Sequence, residues 1–368
     1  MTDSNPGRTS VVPSATSADA TSQAQRLLDK LLAAVDIEKP VAIYTHDHPD
    51  PDSIASAYAL SFLLGHKLSI EPIIAFGGTI GRATNRAMVD QLGVRLYPLA
   101  QVRLDDYGTH SLIDTQPETG NHSLPNDLPI SIAIDHHPMR PETANVKFAD
   151  VRTDYGATST IMYYYLEAAG IDLSTKLATA LLIGIKSDTR GLERESSEAD
   201  LHAYLQIFPH ADLSLLARIE NPLIPRRHFE AFHAALERSV IHDHAVIADL
   251  GDADNPDLLA ELADFLAPLE QAEYALVMGR HKGRLYLSLR TRDESRDAGA
   301  VISAIVGELG TAGGHGRMAG AQINIDEDPV PIQEMVRRRF LSELGLDPSS
   351  AGKPLIRNGD ESRSASSG

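Results

Sequence analysis

The run YTHDHPDPDSIAS, residues 44–56, places five ionisable side chains in the seven positions from His46 to Asp52. Such a cluster can relay protons, cap a turn or hold a metal. Two further groups of the same kind follow. "LIDT" carries Asp114, and "ISIAIDHH" ends on Asp135, His136 and His137. Each group sits at the end of a short apolar run that reads as a buried strand. In open parallel sheets ligands collect outside the carboxyl ends of the strands, so these side chains are expected at one edge. Carboxylates gathered there repel one another and resist ionisation. Two divalent cations set against four aspartates would cancel that charge. The chain has no cysteine, so the ligands must be nitrogen or oxygen, which suits manganese, magnesium or iron. Thiol nucleophiles, disulfides and zinc ribbons are excluded.

Each piece also has a plainer reading. Asp50 and Asp52, flanking Pro51, read as turn and helix-cap residues, and Asp114 as a strand-ending turn signal. The Asp-His-His run directly after "ISIAI" is harder to explain by solubility. At several strand ends together, the groups favour a metal site. "IHDH", residues 241–244, repeats His-Asp-His but precedes a strand and matches no carboxylate motif. It reads as a surface turn or linker.

The elements that must position these groups alternate in type. Strands are expected over 41–45, 69–77, 110–115 and 130–137, with helices over 52–66, 82–93, 157–169, 174–186 and 196–208. Asp52 or Ser53 is placed to cap the first helix. The fold class is therefore α/β, a mostly parallel sheet flanked by helices plus a smaller C-terminal α/β domain. Residues 1–22 and 347–368, rich in small polar residues, are expected to be disordered. Between them stand a first domain over 23–209, a connector over 210–239 and a second domain over 240–346.

The formal charge of the 368-residue chain is −18, which disfavours long polyanions unless cations are gathered locally. "GRHKGRLYLSLRTR", 279–292, gathers five Arg or Lys without an acid. It reads either as a solvated hairpin face or as part of an anion pocket. No apolar run is long enough to span a bilayer. No secretory signal layout opens the chain, and a cytoplasmic location is expected.

In order and spacing these motifs resemble the DHH phosphoesterases that carry a C-terminal DHH-associated domain. His46, Pro49, Asp50 and Asp52 stand for the first motif, Asp114 for the second and Asp135-His136-His137 for the third. Asp188 in "KSDTRGLE" stands for the fourth, and "GGHGRMAGAQI", 313–323, for the Gly-Gly-His segment of the associated domain. One departure is Arg190, where the family usually has glycine. The resemblance implies two divalent cations, most often Mn2+ with Mg2+ as the alternative, in an active site in the cleft between the domains. His46, Asp50 and Asp114 would hold one cation. Asp52, Asp114, His136 and Asp188 would hold the other, with Asp114 bridging. His137 would act on the phosphate and Asp135 would orient its neighbours, while Asp47 and His48 match no ligand position. Arg290, Gly313, Gly314, His315 and Arg317 would bind substrate. The implied reaction is phosphoester hydrolysis with a metal-bridging hydroxide as nucleophile. The two-domain length resembles the branch acting on short oligoribonucleotides and 3′-phosphoadenosine 5′-phosphate. An inorganic pyrophosphatase and a nucleotide-binding regulator without turnover are the alternatives. The expected partner is a short RNA or small nucleotide, with a homodimer allowed and with neither long DNA nor membrane.

Overall fold

The computed structural model describes residues 17–193, 196–325 and 330–356. The chain divides into two compact units between Pro222 and Leu223. No helix among the described residues is long and apolar enough to cross a membrane.

The first unit runs α1 (Ser17–Ala33), β1 (Val41–Tyr44), α2 (Pro51–Leu68), β2 (Ile73–Phe76), α3 (Ala83–Leu92) and β3 (Leu96–Pro98). It continues with β4 (Thr109–Ile113), β5 (Ile132–Asp135), β6 (Phe148–Val151), α4 (Thr158–Ala168), α5 (Thr175–Asp188), α6 (Glu198–Ile207) and α7 (Leu213–Glu220). All six strands are parallel, in the order β3-β2-β1-β4-β5-β6. The order reverses between β1 and β4, and a crevice opens at such a point beyond the strand ends. Helices cover one face, where Ile43, Leu60, Leu64, Ile113, Ile134, Leu181 and Ile185 form the main core. The other face, built on Ala42, Tyr44, Leu112 and Ala133, is covered by irregular segments bearing Leu99, Val102, Leu104 and Ile130. The segments between β3 and β4 and between β4 and β5 therefore cross that face without α-helices.

The second unit runs α8 (Arg226–Arg238), β7 (Val240–His242), β8 (Ala245–Asp252), α9 (Asp257–Leu266), β9 (Tyr274–His281) and β10 (Arg284–Thr291). Then come α10 (Ala298–Val306), β11 (Gly310–His315), β12 (Met318–Asn324), α11 (Val330–Glu343) and β13 (Lys353–Pro354). Its mixed sheet, β11-β12-β10-β9-β8-β7-β13, has a core on each face. Leu285, Leu287 and Leu289 pack with α10 and α11 on one side. Ala248, Leu259 and Val277 form the other.

Several expectations are corrected. Residues 17–22, read as disordered, are helical, because Ala20, Ala24, Leu28 and Leu31 make a buried stripe of i, i+4 and i, i+3 spacing. Residues 1–16 lie outside the described residues. The C-terminal tail is ordered to residue 356, since Lys353–Pro354 pairs with Val240–Ile241 and Leu355 N donates to Ser239 O at 2.9 Å. Residues 357–368 lie outside the described residues. The connector over 210–239 resolves into α7, which closes the first unit, and α8, which opens the second. Asp50, rather than Asp52 or Ser53, caps α2, because Pro51 occupies the first helical position and sets the cap one residue earlier. "IHDH" is a tight turn: His242 pairs with Ala245, and Asp243 between them has φ 48°.

Candidate metal centre

The residues past β1 turn out over the sheet edge. Asp47 pins this turn from behind, its carboxylate accepting from Ser123 N at 3.0 Å and from Ser123 Oγ. His48 N donates to Gly77 O at 3.0 Å. A Cβ at Gly77 would overlap Asp47 Oδ1 at 1.8 Å, so a larger residue there would displace this carboxylate from Ser123. Asp47 and His48 thus fasten the loop and do not join the donor groups. Asn85 Nδ2 donates to Pro49 O at 3.0 Å and steadies the approach to Asp50.

Asp114 stands one residue beyond β4 with φ 59°, a left-handed conformation that Asp tolerates better than most residues. Its N–H donates to Ile134 O at 2.9 Å, which ties it to the end of β5. Asp188 is the last residue of α5. After it Arg190, Gly191 and Leu192 all have positive φ. This turn gives a physical reason for glycine at position 190, and Arg there carries a cost of about 1–2 kcal/mol.

Among the described residues, three sets of donor atoms lie within 4.8 Å of one another: His46, Asp50 and Asp114; Asp52, His136 and Asp188; and Asp114, His136 and His137. His46 Nε2 is 3.6 Å from Asp50 Oδ1 and 3.6 Å from Asp114 Oδ2. His136 Nε2 is 3.4 Å from Asp188 Oδ2 and 3.7 Å from Asp114 Oδ1. These gaps exceed the roughly 2.7–2.9 Å of a charge-assisted hydrogen bond. They match donors that share one ion about 2.0–2.2 Å from each of them.

The imidazoles are set for that role. His46 Nδ1 lies 2.8 Å from Asp47 O, and His136 Nδ1 lies 3.1 Å from Tyr155 O. A carbonyl can only accept, so Nδ1 carries the hydrogen in both rings and Nε2 turns a lone pair into the site. His136 Nε2 is buried with no hydrogen-bond partner. A buried orphan nitrogen facing carboxylates is what a divalent cation would satisfy, and the nitrogen and oxygen donor set fits one. Asp52 is wholly buried on the first turn of α2. Its oxygens accept from Thr158 N at 2.7 Å and Ser159 N at 2.8 Å, the first N–H groups of α4. Thr158 Oγ1 donates to Asp114 Oδ1 at 2.8 Å.

Electrostatics follow from the crowding. Burial and then the charges of Asp114 and Asp188 push the Asp52 carboxyl well above the usual carboxylate range. Burial and the nearby Asp50 lift Asp188 to about 6. Burial works to lower His46 and His136, but Asp114 and Asp50 raise the first, and Asp188 and Asp114 the second, well above the ordinary imidazole value. For His137, whose Nδ1 lies 2.9 Å from Asp135 Oδ1, burial is likewise outweighed by Asp135 and the imidazole is raised.

Asp135 is oriented by a residue that the motif spacing does not single out. Gln116 Nε2 donates to Asp135 Oδ2 at 2.7 Å, while Gln116 Oε1 accepts from Arg140 N and Thr143 Oγ1, each at 2.8 Å. The other oxygen, Oδ1, accepts from the N–H groups of His136 and His137. Thr158 and Ser159 were also missed. Their signal is the "GATST" run, a cluster of small hydroxyl residues opening a helix.

Gly184 on α5 marks how tightly the site is backed. A Cβ there would sit 2.1 Å from Ser159 Oγ and 3.0 Å from Asp52 Oδ1. Helix propensity favours Ala over Gly by about 1 kcal/mol, yet overpacking costs about 1–3 kcal/mol. Gly184→Ala should therefore lower the melting temperature and weaken Mn2+ binding together. A stabilised variant with unchanged Mn2+ affinity would show that the crossing has room.

In the second unit three of the five cations of the basic stretch are engaged by carboxylates or carbonyls of the protein, while Lys282 and Arg284 are exposed. Arg290 is buried, with Nε 2.5 Å from Asp264 Oδ1 and Nη1 on Ser288 Oγ and Leu289 O. Arg280 pairs with Asp252, Arg317 with Glu294, and Arg292 holds the carbonyls of Leu269, Glu270 and Ala272. Register aligns Arg290 with Met318 and His315, and Ser288 with Gly320 and Gly313. Gly313 has open space above it, whereas a Cβ at Gly314 would lie 2.4 Å from Met318 O.

With this geometry in hand, two family matches are decisive. Residues 40–185 match the DHH family, N-terminal domain, and residues 242–339 match the DHHA1 domain. The chain carries a DHH domain followed by a DHHA1 domain. An uncharacterized protein of Methanocaldococcus jannaschii is 36% identical over 318 residues, 83% of this chain and 64% of that protein. A probable manganese-dependent inorganic pyrophosphatase of Streptococcus pyogenes serotype M1 is 27% identical over 165 residues, 44% of this chain and 52% of that protein. The chain thus spans between about half and two thirds of the length of these relatives. An exopolyphosphatase-related protein from Bacteroides fragilis shares the fold, with a TM-score of 0.69 at 13% identity, over 88% of this chain and 98% of that one. All donor residues proposed as metal ligands lie in the DHH domain or, for Asp188, three residues past its match. Gly313, Gly314, His315, Arg290 and Arg317 lie in the DHHA1 domain.

Proposed function

We propose that this chain is a two-cation phosphoesterase acting on short oligoribonucleotides and small nucleotides such as linear dinucleotides or 3′-phosphoadenosine 5′-phosphate. The observation that carries the reading is the convergence of His46, Asp50, Asp52, Asp114, His136 and Asp188 at the switch point, with the His136 Nε2 lone pair buried and unmatched. Divalent cations held there, Mn2+ in first place and Mg2+ as the alternative, supply Lewis acidity toward phosphoryl oxygens and lower the pKa of water. His46, Asp50 and Asp114 hold one. Asp52, Asp114, His136 and Asp188 hold the other. His137, kept protonated by Asp135, binds a phosphoryl oxygen or gives its proton to the leaving oxygen. Gln116 keeps Asp135 turned toward His137. In the DHHA1 domain the open space at Gly313 leaves backbone that a short phosphate-ended ligand could approach, with Arg290 and Arg317 already paired to Asp264 and Glu294, and the net charge of −18 disfavours long DNA.

A second reading, inorganic pyrophosphate hydrolysis, draws support from the 27% identity over 165 residues to the streptococcal protein. Purified protein should be assayed with Mn2+ against di- to pentaribonucleotides, 3′-phosphoadenosine 5′-phosphate and pyrophosphate, with a chelator control. Metal-dependent turnover of the nucleotides is the expected result. Turnover of pyrophosphate alone would select the second reading, and turnover of none would sink both.

A further inference from the structure

A buried ion pair behind the site has so far no role. Asp150 on β6 and Arg152 just past it are 4% and 3% exposed. Arg152 Nε lies 3.0 Å from each Asp150 oxygen, and Nη2 lies 2.6 Å from Oδ2. Nη1 donates to Tyr155 OH at 3.1 Å, and Tyr165 OH donates to Asp150 Oδ2 at 2.6 Å. Burying such a pair is often no better for stability than a well-packed apolar replacement, so its presence calls for another reason.

That reason lies in the backbone it grips. Arg152 N donates to Asp135 O at 2.9 Å, and Tyr155 N donates to Arg152 O at 3.2 Å. Gly156 N, the next in line, donates to the buried Asp200 Oδ2 at 2.8 Å. Tyr155 O is the acceptor of His136 Nδ1. Backbone hydrogen bonds hold the Arg152 end of the turn, and the guanidinium, braced on Asp150, holds the Tyr155 end through the phenol. The last carbonyl of that turn sets the tautomer and direction of His136.

We infer that the Asp150–Arg152 pair is a positioning device for His136, fixing the Tyr155 carbonyl so that Nε2 stays a lone-pair donor aimed at the cation. The inference rests on the metal reading proposed above. Arg is required over Lys because its planar fork reaches Asp150 and Tyr155 at once.

The test is Mn2+ titration by calorimetry of the full chain, with metal-free melting measured in parallel. Asp150→Leu/Arg152→Met leaves no unpaired charge. It should weaken Mn2+ binding about 10–100-fold, as loss of a partner behind a metal-ligating His typically does. Tyr155→Phe should weaken it in the same direction by less, and Arg152→Lys should fall between wild type and the double variant. Leu31→Ala, in the same core but off the network, is the control, and should melt lower while keeping wild-type affinity. If the double variant does not fold, Tyr155→Phe against Leu31→Ala decides. Wild-type affinity in Tyr155→Phe and the double variant, or an equal loss in Leu31→Ala, would overturn the inference and leave the metal reading intact. A wild type that binds no divalent cation would overturn both.

Discussion

Asp114→Asn should abolish hydrolysis of every substrate that the wild type turns over, by on the order of 10³-fold or more. Loss of one donor to a developing oxyanion costs about 10²–10³-fold, and Asp114 does more than one such donor. Its two oxygens face different histidines, His46 through Oδ2 and His136 through Oδ1, and it belongs to two of the three donor sets. Asn keeps the shape and can still accept the Thr158 hydroxyl, so the turn after β4 survives. What disappears is the charge. In the metal-free protein that charge lifts Asp52 and also helps raise His46 and His136, so its removal relieves carboxylate repulsion and loses imidazolium attraction together. The variant is therefore read by its metal response, and its Mn2+-induced rise in melting temperature should collapse. Retained turnover, or a wild-type response to Mn2+, would show that Asp114 bridges nothing.

How much of this was legible before folding depends on how local each signal was. His46, Asp114 and His136 end or follow apolar runs, and strand ends in a parallel sheet share an edge, so their meeting was readable. The cap of α2 was misplaced by two residues because Asp50, Asp52 and Ser53 all have capping chemistry, and only Pro51 discriminates. The short strands β3 and β6 were missed. One ends in Pro98 and the other carries Asp150 in its middle, so neither shows an apolar run. Helix α1 hides its stripe in alanines, which a composition argument counts as small rather than apolar. Gln116 and Arg152 are the clearest failures. Each acts through a partner distant in sequence or through a backbone carbonyl, and no spacing rule registers that. In the basic stretch of the second unit the cations were visible, but Asp252 and Asp264, which pair with Arg280 and Arg290, come from elsewhere in the chain.

The dependence of stability on metal and pH should be the second large effect, and its sign is fixed by the same crowding. The folded Asp188 carboxyl is raised from 3.8 to about 6 by burial and Asp50. Its contribution is therefore fully present below about pH 4 and is lost as pH rises through about 6. His46 and His136, raised well above 6.5 by their carboxylates against the pull of burial, lose their contribution higher still. From these groups the metal-free DHH domain becomes less stable between pH 5 and 8. Cations and protons compete for the same lone pairs, so metal binding strengthens over that range. The gap between metal-loaded and metal-free protein must widen with pH. One site filled at about a thousand times its Kd contributes about 4 kcal/mol, which for a domain of this size corresponds to roughly 8–16 °C in Tm. Melting curves with Mn2+ and with EDTA at pH 5, 6.5 and 8 read this directly. The expected result is a small shift at pH 5 and one of that size at pH 8. A shift constant with pH, or largest at pH 5, would mean that the histidines and Asp188 do not give up protons to bind the ion, and the donor assignment would fall.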